Sequence, residues 1–244
     1  MTQFPTRSQQ LVDLADERII ILDGAFGTML QSLNLTEDDF RGSRFKSHGT
    51  NLRGCNDVLC LTCPQAVAGI HRQYLEAGAD IIETNSFNAN AISLADYALS
   101  EYAAEINLAA AEIARAEADE YFKATGRRAY VAGSVGPTNK SLTMAVTLDD
   151  DIDWDTMVAA YTTQMTALIK GGADLLIIET IFDTLNAKAA IYAAKTAFET
   201  TGTTLPVILS VTLTESGRTL SGQSLEAFAA TVAHANPFAV GLNC

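Results

Sequence analysis

Along this chain, short runs of consecutive apolar residues alternate with longer stretches in which apolar positions recur every three or four residues. Six runs are of the first kind: "RIIILDG", "DIIETNSF", "AYVAGSVGP", "DLLIIETIF", "PVILSVTL" and "FAVGLNC". They are unbroken rather than alternating, the pattern of strands covered on both faces. The stretches between them predict helices over 64–77, 155–170, 184–199 and 224–235, and an Ala-rich, broken helical region over 91–123. A short amphipathic helix is expected to precede the first strand. Strand follows helix follows strand with no hairpin signal, which predicts parallel βαβ units.

Two segments repeat one plan. "EAGADIIET" (76–84) and "KGGADLLIIET" (170–180) each place glycine at a helix end, Asp in the turn, an apolar strand, and Glu-Thr at the strand's C-terminal end. The second copy is longer by two residues, an even number, so Glu83 and Glu179 keep the same strand parity. Repetition of the unit favours a barrel over a doubly wound sheet. "DGAFGTM" after the first strand is also not the G-x-G-x-x-G of a dinucleotide fold. The fold expected is therefore α/β, a (β/α)8 TIM-type barrel. With six strands legible where eight are needed, it is expected to be truncated after about six, residues 1–244 forming one incomplete barrel domain.

Composition narrows the function classes. With 48% hydrophobic and 18% charged residues in 244, the chain can bury one large core. No apolar run is long enough to cross a bilayer and no secretory signal opens the chain, so a cytoplasmic location is expected. A net charge of −13 repels nucleic acid and anionic membranes, so neither is expected as a partner. Four cysteines, Cys55, Cys60, Cys63 and Cys244, are three clustered and one remote, unlike a secreted disulfide framework.

In such barrels chemistry gathers at the C-terminal ends of the strands. Those positions hold Asp23 with "GAFGT", Glu83 with Thr84 and Asn85, Ser134 with "GPTN", Glu179 with Thr180, Thr212 with Thr214, and Asn243 with Cys244. Three carboxylates at one mouth repel each other unless a cation sits among them. Backbone N–H groups in the turn after Asp23 suit an anion. Together these describe a pocket for a zwitterion, the simplest being an amino acid; the structural alternative for each acid is a solvated carboxylate or a helix cap. Cys244, taken alone, reads equally well as a small apolar residue ending a strand.

Six motifs in order, "ILDGAFGTML", "GADIIETNSFNAN", "AGSVGPTNK", "IIETIFDTLNAKAA", "SGRTLSGQS" and "GLNC", resemble the N-terminal, homocysteine-binding barrel of cobalamin-dependent methionine synthase along essentially the whole chain. "DFRG", "FDTLNAKAA" and "SGRTLSGQ" look like that family rather than its betaine- or S-methylmethionine-using relatives. The resemblance implies a homocysteine S-methyltransferase in which Asp23, Glu83 and Glu179 surround the homocysteine amino group. It further implies that Gly24, Ala25 and Phe26 meet the carboxylate, that Asn85 lies in the site, and that Cys244 is the first of three thiolate ligands of a catalytic zinc. The other two ligands, an adjacent cysteine pair, are absent from this sequence, so the chain is expected to end within the metal site and to be inactive alone. Methylcobalamin, the methyl donor of the family, is expected on a separate module, with a folate-binding module as a further partner. A betaine- or S-methylmethionine-dependent enzyme and an inactive amino-acid-binding fragment are the alternatives.

Other candidates are weaker. Cys60-x-x-Cys63 has a metal-like spacing, yet "TCPQ" reads as a helix start with Thr62 or Cys63 as cap, Pro64 in the first turn and Gln65 completing a capping box. "DDDIDWD" fails as a calcium loop, because counting from Asp149 puts Trp154 and Ala160 where Gly and Glu are required. His48, His71 and His234 read as structural or surface residues, and Lys140 alone does not make a Schiff-base site.

Overall fold

The computed structural model describes residues 4–144 and 152–244. Asp149 and the acidic residues after it up to 151 lie outside them, so the calcium-loop question falls there too. Among the described residues five strands form one parallel sheet: β1 (Ile81–Glu83), β2 (Tyr130–Val135), β3 (Leu175–Ile181), β4 (Val207–Val211) and β5 (Ala239–Leu242). Their spatial order is their chain order, β1-β2-β3-β4-β5, every pair parallel. Sequential order is how (β/α) units succeed one another around a barrel; a doubly wound sheet reverses direction at a switch point.

The helices are α1 (Thr6–Glu17), α2 (Phe26–Ser32), α3 (Glu37–Arg41), α4 (Leu59–Thr62), α5 (Pro64–Ala77), α6 (Ala91–Leu94), α7 (Ala103–Thr125), α8 (Trp154–Lys170), α9 (Thr184–Thr201) and α10 (Leu225–Val232). The region over 91–123 is broken as the sequence indicates, by two 3-10 turns between α6 and α7. Helix α8 starts at Trp154 because Asp153 accepts from the Thr156 N–H at 2.7 Å and caps it. The start of α5 meets expectation in part, with Pro64 as its first residue. Cys63 is its cap, without a side-chain hydrogen bond, so Gln65 falls at the second helical position and no capping box forms. Thr62 instead ends α4 and donates to the Val58 carbonyl.

The first predicted strand, 18–24, also needs correction. Only Leu22 bridges to Ile81, and the segment is otherwise extended chain beside β1. Its contacts are Ile21 O accepting from the Asp80 and Ile81 N–H groups, and the Asp23 N–H donating to Ile81 O. Three ladder bonds on a single neighbour do not extend to a regular strand, and Ile19, Ile21 and Leu22 stay exposed.

Strand parity divides the core. Outward residues of β2–β4, including Val135, Leu176, Ile178 and Leu209, pack under α8, α9 and α10. On the inner side Ile81, Tyr130, Ala132, Leu175 and Ile177 bury Leu11 of α1, which lies across the N-terminal ends of the strands. The repeated Asp of the two GAD motifs fixes that end. Asp80 accepts from Arg18 and Arg127 and from the Ile21 N–H, and Asp174 accepts from Arg7, Arg115 and the Val131 N–H. Both carboxylates are buried but fully paired, the condition under which a buried charge is tolerated.

Candidate active site

The inward positions turn polar as each strand ends. Glu83 on β1, Ser134 on β2, Glu179 on β3, Ser210 on β4 and Asn243 just past β5 line one cavity of about 630 Å³. Asp23 and the turn Gly24–Ala25–Phe26–Gly27, which leads into α2, close one side, and Cys244 stands at the other. Asp23, Gly24, Ala25, Phe26, Glu83, Asn85, Glu179 and Cys244 all border this one cavity, whereas Thr180, Thr212 and Thr214 at the strand ends do not line it. Gly24 fits closely here: a Cβ would stand 3.1 Å from the Tyr74 hydroxyl.

The acids are held in place from behind. Asp23 Oδ2 accepts from the Glu83 N–H at 2.9 Å, while its Oδ1 is buried with no partner. Glu179 Oε1 accepts from the Ser134 hydroxyl at 2.6 Å and Oε2 from the Asn243 amide at 3.0 Å. Among the described residues no Lys, Arg or His lines the cavity. Burial first, then the neighbouring Glu179 charge, pushes the Asp23 carboxyl up to about 7 despite the hydrogen bond from Glu83. Burial followed by the charges of Glu179 and Asp23 raises Glu83 well above the ordinary range, and burial raises Glu179. With burial raising all three carboxyls, a cation bound among them would favour their ionised forms.

Asn85 plays a supporting part. It borders the cavity, but its amide nitrogen donates to Asn56 O at 2.8 Å and ties the 54–58 loop to the end of β1. Asp57, from the same loop, accepts from the Asn88 N–H at 2.9 Å; burial lifts its carboxyl to about 6. Ser210, Asn56 and Asp57 escaped the sequence reading. Ser210 could have been found by counting inward positions back along β4 in "ILSV", whereas the two loop residues carry no periodic signal.

Thr180 is the strained point of the site. Its φ is +54°, in the left-handed region where a β-branched residue is an outlier, at a cost of about 1–3 kcal/mol. The β3–β4 register breaks between Ile178 and Ile181 to accommodate it. Cys244 is exposed, its Sγ 3.6 Å from both Thr180 Oγ1 and Asn243 Nδ2. Among the described residues no group of three or more His, Cys, Asp or Glu side chains is placed to hold a metal ion. One thiol is a single donor, and the residues present do not by themselves complete a four-coordinate site.

The remaining candidates lie elsewhere. Cys55 and Cys60 are buried thiols in the core beneath the 30–60 segment, and burial pushes Cys55 up to about 12. His71 is fully buried with neither ring nitrogen partnered, against the Phe26 ring at 5.0 Å, and burial drives it down to about 3. His48 contacts Tyr97 O, and His234 lies in a 3-10 turn. Lys140 sits in the loop after β2, where its carbonyl accepts from Thr138 and Asn186.

A sequentially ordered βα sheet with carboxylates and a thiol converging at the strand ends defines a barrel-type site. The homocysteine S-methyltransferase family model matches residues 20–244, and the chain belongs to that family. Among solved structures it is similar to the homocysteine methyltransferase MmuM from Escherichia coli. With the oxidized form it shares 25% identity over 99% of this chain and 77% of that one, at a TM-score of 0.76. With the metallated form the values are 23%, 95% and 77%, at 0.75. Among the described residues no helix is long and apolar enough to cross a membrane.

Proposed function

We propose that this chain is the homocysteine-binding domain of a cobalamin-dependent methionine synthase. The observation that carries the reading is the convergence of Asp23, Glu83 and Glu179 with Cys244 on one cavity that lacks a basic residue among the described ones. The three carboxyls receive the homocysteine ammonium, and the Gly24–Gly27 turn meets its carboxylate. Held at that end, the ligand extends its sulfur toward Cys244. A fixed amino-acid end is what converts a flexible thiol into an oriented nucleophile.

A free thiol is mostly protonated at neutral pH, and only its thiolate attacks a methyl group. Zinc, when bound, supplies that deprotonation, with Cys244 as one of its thiolate donors. Further donors would be required to complete its coordination. Methylcobalamin, on a module outside this chain, is the proposed methyl donor, and a folate-binding module the further partner.

Direct use of betaine or S-methylmethionine is the second reading, and both the family match and the likeness to MmuM are compatible with it. Methionine formation by the full-length protein, assayed separately with methylcobalamin, betaine and S-methylmethionine, decides between them. Turnover with methylcobalamin alone is expected; turnover with either small donor and none with methylcobalamin overturns the first reading.

A further inference from the structure

We propose that Asn243 is a positioning residue: its side chain locks the Glu179 carboxylate, the left-handed backbone of Thr180 and the Cys244 thiol into one rigid unit. The ligand-binding arm of the test rests on the homocysteine reading; the structural arm does not.

The Asn243 amide uses all of its principal hydrogen-bonding positions. Oδ1 accepts from the Thr180 N–H and from the Ser210 hydroxyl, both at 2.9 Å. Nδ2 donates to Glu179 Oε2 at 3.0 Å and to Thr180 Oγ1 at 2.8 Å. Its orientation is fixed by chemistry. Turned over, Oδ1 would face a carboxylate and the NH₂ group would face the Thr180 N–H. The partners end two other strands, Glu179 and Thr180 on β3 and Ser210 on β4, so one side chain laces three strand ends together.

Thr180 shows why such a lace is needed. A β-branched residue at φ +54° persists only where its surroundings hold it. The break in the β3–β4 register leaves its N–H to Asn243 rather than to the ladder. Held in this way, Thr180 places Oγ1 3.6 Å from Cys244 Sγ, and its neighbour Glu179 faces the cavity. If Asn243 lets go, Thr180 can relax to an extended conformation, which re-aims Glu179 and moves the support of the thiol. A residue that merely ends a strand would affect stability and leave ligand affinity untouched.

The test compares wild type, Asn243→Ala, Thr180→Gly and the double variant. The first readout is hydrogen exchange at the amide of residue 180, and the second is homocysteine affinity by calorimetry. In Asn243→Ala the amide should exchange about tenfold faster or more, having lost its acceptor. Homocysteine binding should weaken about tenfold, because a re-aimed Glu179 loses its hydrogen bond to the ligand's ammonium, a bond between charged groups. Glycine adopts positive φ without steric cost, so Thr180→Gly in the Asn243→Ala background should recover most of that affinity, to within about threefold of wild type. Unchanged exchange and affinity in a folded Asn243→Ala overturn the proposal, as does a loss of affinity that Thr180→Gly leaves in place. Failure of the wild type to bind homocysteine refutes the functional reading instead, and the exchange arm still decides the role of Asn243.

Discussion

Replacing Asp23 by Asn should make the ligand-free protein more stable while weakening its hold on an amine. Asp23 Oδ2 accepts from the Glu83 N–H, a bond that the Asn carbonyl oxygen can keep, and the new NH₂ group falls where Oδ1 is buried without a partner. Burial raises the carboxyl from 3.8 to about 7, so ionising it in the folded protein is unfavourable. At 1.36 kcal/mol per pH unit, a shift of about three units is worth at most about 4 kcal/mol, and roughly 2–3 kcal/mol once partial exposure is allowed for. The sign follows from linkage. For an acid with a raised folded value the unfolded chain releases its proton first, so wild type loses stability as pH climbs from about 4 to about 7 and stays lower above that. The gain in Asp23→Asn should therefore be full at pH 8, partial at pH 5.5 and absent near pH 4. Urea unfolding of both proteins at the three pH values measures it, and calorimetry with homocysteine should show binding weakened about a hundredfold through loss of one charge from the ammonium site. A variant no more stable at pH 8, or equally stabilised at pH 4 and 8, would refute the reasoning.

Homocysteine binding should release protons near pH 7, because an ammonium among Asp23, Glu83 and Glu179 lowers carboxyl values that burial raises; affinity should fall as pH drops from 8 to 6, and calorimetry in buffers of different ionisation enthalpy counts the protons. Asp80→Asn should cost about 2 kcal/mol at pH 7, since the hydrogen bonds from Arg18 and Arg127 that hold the Asp80 carboxyl below the usual carboxylate range lose their charged acceptor. Because a depressed value stabilises above the unfolded value of about 3.9, that difference should narrow as the pH of the unfolding experiment falls below 4. Gly136→Ala would bring a Cβ to 2.4 Å from Phe87 O, on a loop bordering the cavity, so about 2 kcal/mol of stability should be lost in thermal melts together with homocysteine affinity.

The parts of this molecule that repeat with a period were legible in its sequence. Unbroken apolar runs located β1 to β5, apolar periodicity located α8, and the glycine of the first GAD repeat marked the end of α5. Counting parity through the two GAD repeats placed Glu83 and Glu179 on one cavity because side-chain direction alternates whatever the twist of the sheet. What failed depends on neighbours. "RIIILDG" has strand composition but finds one hydrogen-bonding neighbour, so it stays extended chain. Of the two caps open for α5, Cys63 holds the place because Thr62 ends a helix of its own, and the capping box with Gln65 is lost with it. Asn56, Asp57 and the left-handed Thr180 sit where loop and strand ends are fixed by tertiary hydrogen bonds, which no local pattern announces.

The central claim is that the strand-end carboxyls recognise the amino group of homocysteine, and equilibrium dialysis of this chain with labelled homocysteine tests it most directly, beside N-acetylhomocysteine and beside Glu83→Gln and Glu179→Gln variants. The expected result is saturable binding at pH 8 that acetylation of the amine abolishes and each substitution weakens about tenfold or more. Equal binding of the acetylated ligand, or affinity indifferent to both substitutions, would contradict it.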